Sequence, residues 1–382
     1  MQHLVLSARD RIGLGRRPPR SLREHLDAAA QWIVRAQQAT ADDGVAHSYD
    51  VRTKKWLASY PETTGYIIPT LYDYAQHFAH PEYRAYARRM ALWEVAVQLP
   101  GGGVRAGTMS AEIVAPTIFN TGQVLFGLSR AARETGDGTL RAALERAADW
   151  LVAAQDDDGC WRRFPSPFTT TGTATYNTRC AFGLVRSFAV LGKESYLAAA
   201  TRNIEWALGQ ARANRWLPGN CLTANADDSA LTHTIAYSIR GILEVGATLK
   251  RAEFLDAALA MARSVATTQR GDGSLPAYLL PNWSAKTRWS CVTGNAQMAI
   301  NWQRLAQETG ETALRGHAMA ANRFNMSIQD LETGDLDRRG AIKGSHPLDG
   351  GYMTYRYPNW AAKFFMDALM LEVLFDSTRE IG

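Results

Sequence analysis

The sequence predicts an all-α protein folded as an (α/α)6 toroid, in which six inner helices form a ring inside six outer helices. A helix that ends in a large residue and a glutamine, followed by a Gly- or Asp-rich turn, recurs along the whole chain. The glutamines stand 61, 57, 55, 59 and 60 residues apart by subtraction of their numbers. They are Gln37, Gln98, Gln155, Gln210, Gln269 and Gln329.

A second helix, polar at its start and then apolar, lies between each pair of these glutamines. The starts read "PETTGYIIPTLYDYA", "IFNTGQVLFGLSRAA", "TYNTRCAFGLVRSFA", "THTIAYSIRGILEVG", "TGNAQMAINWQRLA" and "NWAAKFFMDALMLE". Apolar residues recur at three- and four-residue spacings, as at Val124, Leu125, Leu128 and Ala131, which is typical of a buried helix face. These helices are therefore assigned to the inner ring.

The helix that ends in each glutamine is richer in Arg, Glu and Ala, as in "GTLRAALERAADWLVAAQ", and is assigned to the outer ring. The last inner helix, "WAAKFFMDALMLEVLF", is as apolar as the others. An open solenoid would need a polar cap there, so the pattern favours ring closure. We expect one domain at residues 21–382, preceded by an N-terminal extension at residues 1–20.

Composition limits the function classes. The formal net charge of the 382-residue chain is +5, but no run of like charges indicates a nucleic-acid surface. No apolar stretch is long enough for a signal peptide or a membrane span, so we expect a cytoplasmic protein. The four cysteines lie far apart, which predicts buried thiols rather than a zinc site or disulfides. No metal or cofactor is predicted, and the oligomeric state stays open.

Because the inner helices of a toroid run parallel, their polar starts should meet at one mouth of the ring, where we place the site. The residue types there, carboxylates, amides, bases and phenols, suit a hydroxyl-rich sugar or oligosaccharide substrate. The catalytic candidates are Glu62, Tyr66, His233, Tyr237 and Asp228. The substrate-binding candidates are Asn120, Gln123, Tyr176, Asn177, Arg179, Asn295, Gln297, His346, Asp349, Tyr352, Trp360 and Lys363.

A structural interpretation competes with the functional one at several of these positions. Glu62 and the threonines after it are suited to capping a helix, and Asp227 or Asp228 to capping the helix that holds His233. The stretch at residues 343–365 fits a substrate-covering loop or a loop that closes the ring. Inward Gln, Arg and Lys side chains on several helices are harder to explain structurally, because burying them without a polar partner is costly.

The stretch "QDDDGCW", residues 155–161, resembles the QxxDGxW repeat of squalene-hopene and related terpene cyclases. The same helix-Gln-Asp-Gly turn is similar to that of toroids that act on sugars: polysaccharide lyases, glucuronyl C5-epimerases, unsaturated glucuronyl hydrolases and N-acylglucosamine epimerases. The resemblance covers nearly the whole chain. It implies a toroid fold and, for the sugar-active families, an enzyme of glycan metabolism.

Two kinds of sugar chemistry fit the candidates. In a lyase or C5-epimerase, Arg179 with an amide would neutralise a uronate carboxylate while Tyr237, His233 or Tyr176 transferred a proton. In a glycoside hydrolase, Glu62 would face a second carboxylate, Asp228 or Asp349. Two alternatives stay open: a terpene cyclase in which "NADDS" stands for a degenerate DxDD motif, and a non-catalytic glycan-binding or scaffold toroid.

Overall fold

Helices form most of the protein, whose structure, a computed structural model, describes residues 2–377. The helices are α1 (Gln2–Arg11), α2 (Leu22–Gln38), α3 (Pro61–His77), α4 (Tyr83–Val97), α5 (Ile118–Thr135), α6 (Gly138–Ala153), α7 (Thr178–Leu191), α8 (Glu194–Gly209), α9 (Thr232–Leu249), α10 (Ala252–Ala266), α11 (Val292–Thr309), α12 (Ala313–Ser327) and α13 (Asn359–Ser377). A single 3-10 turn, Thr175–Asn177, precedes α7.

The odd-numbered helices from α3 to α13 form the inner ring. Each packs against the next, and α13 returns to contact α3. Every inner helix also packs against the outer helix that follows it in sequence, while α13 takes α2 as its outer partner. The predicted (α/α)6 toroid is confirmed, and the ring closes between the last inner helix and the first outer one.

The recurring glutamines join neighbouring outer helices. The Gln155 amide nitrogen donates to the carbonyls of Gly159, in its own turn, and Ala199, in α8, at 3.1 and 2.9 Å. Its oxygen accepts from Arg202 of α8 at 2.7 Å. Donation to a turn carbonyl and to the next outer helix recurs at Gln37, Gln98, Gln269 and Gln329. Among the described residues, Gln210 is the exception, being exposed and outside this pattern.

The same hydrogen-bond pattern joins the last outer helix, α12, to the first, α2. Gln329, just after α12, donates to the carbonyls of Gly340 and His25, and its oxygen meets the His25 ring nitrogen Nδ1 at 2.5 Å. His317 makes the equivalent contact with Gln269 at 2.6 Å. The bond network of an internal repeat is therefore reproduced at the closure between α12 and α2.

Glycines let adjacent inner helices approach closely. A Cβ atom added to Gly127 in α5 would lie 2.2 Å from the carbonyl oxygen of Gly65 in α3, and one at Gly241 in α9 would lie 2.2 Å from that of Thr178 in α7. Such distances leave no room for a side chain. The glycines in "TTGY" and "NTGQ" serve packing in the same way, since a Cβ at Gly65 would lie 2.7 Å from Val124 of α5 and one at Gly122 would lie 2.5 Å from Cys180 of α7.

Short antiparallel strands connect the loops that lead into the inner helices. They are β1 (Ser48–Asp50), β2 (Lys55–Trp56), β3 (Val104–Arg105), β4 (Pro116–Thr117), β5 (Ala230–Leu231), β6 (Tyr278–Leu279), β7 (Ser290–Cys291), β8 (Ser345–His346) and β9 (Arg356–Pro358). The sheets are β2-β1-β9, β3-β4, β5-β6 and β7-β8. In the first, Tyr49 pairs with Tyr357, so the loop before α13 is joined to the loop before α3.

The capping interpretation of the polar helix starts is wrong for the described helices α3, α5, α7, α9 and α11, none of which has a side-chain N-cap. The Thr64 hydroxyl instead accepts from the backbone nitrogen of Val45, and Thr121 accepts from Val104, each at 2.9 Å. These threonines hold the incoming loop. Leu231 is the N-cap residue of α9, so neither Asp227 nor Asp228 caps it.

The N-terminal helix α1 packs on the loop before α13. The buried Asp10 carboxylate accepts two hydrogen bonds from Lys343, at 2.8 and 2.9 Å, and one from the backbone nitrogen of Leu348. The domain boundary after residue 20 stays a prediction. All four cysteines are buried and unpaired, as expected. Over residues 2–377, none of the helices combines the length and apolar character needed to span a bilayer.

Candidate active site

A polar network joins three inner helices. Tyr66, Tyr237 and Gln297 lie about one and a half turns below the starts of their helices, and His233 lies in the first turn of α9. The Tyr237 hydroxyl is in polar contact with Tyr66 and with Gln297. The Gln297 side-chain oxygen lies 2.7 Å from Nδ1 of His233. All four side chains are buried. The structure therefore brings together four predicted site residues from three helices, α3, α9 and α11.

Glu62 lies above this network, toward the mouth. It is half-buried in the first turn of α3, and its carboxylate accepts a hydrogen bond from the Tyr60 hydroxyl. Burial raises the pKa of Glu62 to about 7, against the opposing effect of the Tyr60 hydrogen bond. At neutral pH the Glu62 carboxyl group is thus divided between its acid and base forms, which suits proton transfer.

Aromatic and phenolic side chains surround Glu62. The His47 ring lies 5.3 Å from Tyr60 and 4.8 Å from Trp360, whose indole nitrogen donates to the Tyr352 hydroxyl at 3.0 Å. The negative charge of Glu62 raises the pKa of Tyr176, Tyr237 and Tyr352 in addition to the larger effect of burial. These hydroxyls are therefore close to the Glu62 carboxylate and stay protonated at neutral pH.

The histidines of the mouth are neutral. Burial lowers the pKa of His47 to about 3 and that of His233 to about 4. Each can accept or donate a hydrogen bond through its neutral ring without bringing a positive charge beside Glu62. The surroundings of Glu62 are consequently polar but uncharged.

The predicted cations lie on the far side of the tyrosine network. The Arg179 guanidinium is 5% exposed, stacks over Phe126 at 4.4 Å and over Tyr237 at 5.7 Å, and donates to Gln123 at 3.4 Å. It does not contribute to the pKa of Glu62. Lys363 pairs with Asp367, and burial lowers its pKa to about 8. Arg179, expected to neutralise a substrate carboxylate, therefore lies away from Glu62.

A cavity of about 350 Å³ begins below the network and runs toward the ends of the inner helices. Tyr66, Arg179, Tyr237, Gln297 and Lys363 line it at its inner end. Two regions of the axis are thus distinguished: the group of side chains around Glu62, here called the mouth compartment, and the cavity at the opposite end, here called the opposite compartment. The tyrosine network lies between them.

Six of the predicted site residues are held elsewhere or serve local structure. Asn120 donates to the backbone of Arg105, and Asn295 to Asn325 and Ala321 of the outer helix α12. Asn177 is buried near Cys180 at the start of α7. Asn120 and Asn295 are held by hydrogen bonds to backbone carbonyls, and Asn177 is held beside Cys180. These amides therefore satisfy buried polar groups of the fold.

The two carboxylates proposed to face Glu62 belong to other contacts. Asp228 accepts from Arg212, from the indole of Trp216 and from the backbone of Gly219 at 2.7 to 3.0 Å, all within one loop. Asp349 pairs with Arg11 of α1 at 2.6 Å. His346 packs against Phe324, and its Nδ1 is 3.7 Å from Asp10. Asp228, His346 and Asp349 therefore act in loop packing and in holding α1.

The sequence interpretation missed residues of both compartments. Tyr60, His47 and Phe119 at the mouth lie in or beside loops, and nothing in the sequence showed that their rings face the axis. The arginines of the opposite compartment, such as Arg186 and Arg240, stand in otherwise apolar helices. That pattern was a usable signal, because an inward arginine needs a polar environment.

No group of three or more His, Cys, Asp and Glu side chains within residues 2–377 is arranged to hold a metal ion. No protein-family model matches the sequence, and no curated protein matches it. Solved structures do match along almost the whole chain. An unsaturated glucuronyl hydrolase specific for heparin has a TM-score of 0.75 at 17% identity, covering 93% of this chain and 98% of the other.

Two further matches are sugar-active proteins of a different kind. Cellobiose 2-epimerase from Bacillus thermoamylovorans gives a TM-score of 0.71 at 10% identity, covering 91% of this chain and 97% of its own. D-mannose isomerase gives 0.72 at 11% identity, covering 92% and 97%. The chain has the fold of these enzymes. The predicted resemblance to unsaturated glucuronyl hydrolases and sugar epimerases is confirmed for the fold, and the chemistry must be argued from the chain's own residues.

Proposed function

We propose that this protein is a carbohydrate-active enzyme in which Glu62 transfers a proton to or from the sugar. The observation that carries the proposal is the position of the Glu62 carboxyl group among Tyr60, Tyr176, Tyr237 and Tyr352, with a hydrogen bond from Tyr60. Burial there raises the pKa of Glu62 to about 7. An acid or base works best when its pKa lies near the working pH, because both of its forms are then available.

The side chains around Glu62 support a sugar as the substrate. Phenol hydroxyls, a neutral imidazole and the Trp360 ring line the mouth compartment, and such groups hydrogen-bond hydroxyls and stack on the apolar faces of sugar rings. The structurally similar proteins described above are named as a glucuronyl hydrolase, a cellobiose epimerase and a mannose isomerase, all of which act on sugars. Glucuronyl hydrolase, epimerase and isomerase activities are therefore the classes against which the protein should be tested.

The reaction best supported is proton transfer at a carbon next to a carbonyl group, as in epimerisation or isomerisation of a neutral sugar. Glu62 would remove the proton, and Tyr237 or His233 would hydrogen-bond the oxygen that gains negative charge. Glycoside hydrolysis by two facing carboxylates is disfavoured, because Asp228 and Asp349 are bound elsewhere.

A uronate substrate is the second candidate. Arg179 and Lys363 supply positive charge, but they lie beyond Tyr237 from Glu62. A uronate would therefore have to place its carboxylate toward the tyrosine network. Lyase, C5-epimerase or glucuronyl hydrolase chemistry would follow from that binding mode. The cytoplasmic location expected from the sequence stays a prediction, and it would suit small sugars or imported oligosaccharides.

Nuclear magnetic resonance in deuterated water distinguishes these possibilities. The protein is incubated with glucose, mannose, fructose, cellobiose and, separately, with saturated and unsaturated glucuronides. Deuterium at the carbon next to the carbonyl, together with a new epimer or ketose, would support the main proposal. A change of absorbance at the unsaturated-uronate band would support the second candidate instead.

The Glu62→Gln variant tests the assigned residue, with Glu145→Gln on the outer helix α6 as a control of equal charge change. Removing one general acid or base lowers kcat by about 10²- to 10⁴-fold. A variant as active as the wild type would refute the role of Glu62. Glycan binding without turnover of any of these sugars would favour the scaffold alternative.

A further inference from the structure

The cavity at the end of the ring opposite the mouth is lined by six cationic side chains. It has a volume of about 350 Å³, within the usual range for small-molecule sites. The cations are Arg130, Arg133, Arg179, Arg186, Arg240 and Lys363. They come from α5, α7, α9 and α13, so four inner helices place positive charge around one cavity that is open to solvent. Arg179 and Lys363 are buried, whereas Arg133 and Arg186 are exposed.

The carboxylates near the cavity are already paired. Asp73 binds Arg130, Asp367 binds Lys363, and Glu244 binds both Arg240, at 2.8 Å, and Arg304, at 2.9 Å. The lining contains two carboxylates, Asp73 and Asp367, against six cations. The cavity therefore has a surplus of positive charge that its own acidic residues do not neutralise.

Three of the arginines have no carboxylate partner among the described residues: Arg133, Arg179 and Arg186. Arg179 is 5% exposed, and stacking on Phe126, Phe182, Tyr237 and Phe364 stabilises its charge without cancelling it. Arg186 stacks on Phe182 at 5.0 Å. Both side chains line the cavity, Arg179 as a buried residue and Arg186 as an exposed one.

These charges repel one another. Burial lowers the pKa of Arg240 to about 10, against the favourable effect of Glu244, and the charges of Arg179, Arg304 and Arg186 lower it further. The pKa of Arg186 is lowered by burial and by Arg133 and Arg304, while Glu244 and Asp73 oppose this. An anion in the cavity would reduce this repulsion.

Helix dipoles do not account for the cluster. A cation near a helix C-terminus is stabilised by the macrodipole only within the last turn. Arg133 lies in the last turn of α5, but Arg179 stands at the start of α7, and neither α7 nor α9 has a basic residue in its last turn. A ligand explains Arg179 and Arg186 better than the dipole does.

We propose that this cavity binds a phosphate-bearing small molecule, such as a sugar monophosphate, at a site separate from Glu62. The planar forks of several arginines match the oxygens of a phosphate group. A phosphate dianion would offset most of the charge of the three unpaired arginines. The cavity volume leaves room for a hexose-sized group beside the apolar rings of Phe126 and Phe182. This inference does not depend on the proposed function at the mouth.

Calorimetric titration of the full chain with inorganic phosphate and with glucose 6-phosphate tests the proposal. We expect saturable binding that weakens at least tenfold in Arg186→Gln and in Arg133→Gln. Arg323→Gln on the outer helix α12, which makes the same charge change outside the cavity, should leave the affinity unchanged. Unaltered affinity in both cavity variants, or no saturable binding, would overturn the proposal. Glucuronate binding as tightly as glucose 6-phosphate would overturn the assignment to phosphate.

Thermal unfolding provides a readout that a purely structural role would not give. In phosphate-free buffer, Arg186→Gln should have a higher Tm than the wild type, because it removes repulsion among the arginines. In saturating phosphate the order should reverse, because only the wild type gains full binding energy. A lower Tm of Arg186→Gln under both conditions would show that the arginine serves the fold, contrary to the proposal.

Discussion

Glu62 differs from the tyrosines and histidines around it because its pKa lies near neutral pH. The neighbouring tyrosines and histidines stay neutral over the physiological range, because burial raises the pKa of Tyr176, Tyr237 and Tyr352 and lowers that of His47 and His233. A pH dependence of activity near neutrality would therefore report on Glu62. Its direction gives the role: loss of activity below pH 7 indicates a base, and loss above pH 7 indicates an acid.

Replacing Glu62 should stabilise the protein while it lowers activity. The pKa of Glu62 rises from its ordinary value of 4.5 to about 7 on folding, so the folded state binds the proton more tightly. Stability is then lost as pH rises from about 4.5 to 7. At pH 8 we expect Glu62→Gln to raise the free energy of unfolding by about 1–3 kcal/mol, measured by urea denaturation. No gain at pH 8 would contradict the raised pKa.

Tyr60 should tune the pKa of Glu62. Its hydroxyl donates to the Glu62 carboxylate and so favours the charged form. Tyr60→Phe removes that bond, and the pH–activity profile should move toward alkaline pH by about one unit. Tyr86→Phe on the outer helix α4 is the matched control. An acid shift, or an equal shift in the control, would show that Tyr60 does not act on Glu62.

At the scale of single elements, close contact between helices limits what the sequence can vary. Gly127 in α5 meets the backbone of Gly65 in α3, so Gly127→Ala must force the two helices apart. We expect a loss of about 1–3 kcal/mol in the free energy of unfolding, as for other overpacked sites. Chemical denaturation measures it.

Gly316 provides the internal comparison for that experiment. It lies inside the outer helix α12, and a Cβ added there would have no neighbouring atom within 4 Å. Gly316→Ala should therefore stabilise the protein by roughly 0.5–1 kcal/mol through helix propensity alone. Equal effects of the two substitutions would mean that the packing of α5 on α3 is not the limiting factor at Gly127.

The sequence predicted the ring because its periodic features are local. A glutamine about every sixty residues and two apolar helix faces between glutamines specify six hairpins, and the structure has them. The function of "TTGY" was not predictable in the same way. Thr64 holds the loop at Val45, and Gly65 receives the backbone of α5, and both contacts join residues far apart in the chain.

The site was predicted in part for the same reason. Residues fixed by helix position, such as Tyr66, Tyr237, Gln297 and Arg179, do meet on the axis. Residues in the long loops before the helices, such as Asp228 and Asp349, are directed by loop contacts that have no periodicity. Helical phase can be read from spacing, whereas the path of a loop cannot.

For the whole molecule, stability depends on five similar glutamine junctions between outer helices, at Gln37, Gln98, Gln155, Gln269 and Gln329. Gln155→Ala and Gln329→Ala each remove two side-chain hydrogen bonds to backbone carbonyls, and each should lower the free energy of unfolding by about 1–3 kcal/mol. The double variant should show the sum, because the two sites share no partner. Gln210→Ala, at the exposed glutamine, should have little effect. A comparable loss at Gln210 would contradict the assigned role of these amides.

The pairing of α2 with α13 means that the hairpins follow one another around the ring in chain order, while the point at which the chain starts is not fixed by the ring. A circular permutant that joins α13 to α2 through a short linker, without α1, and opens between α6 and α7 would keep the contacts among the twelve helices of the ring. New termini would fall in an exposed loop that precedes α7, where insertions are best tolerated. The chain termini could thus be moved to other loops of the ring by circular permutation. A fluorescent reporter could then be attached near the mouth.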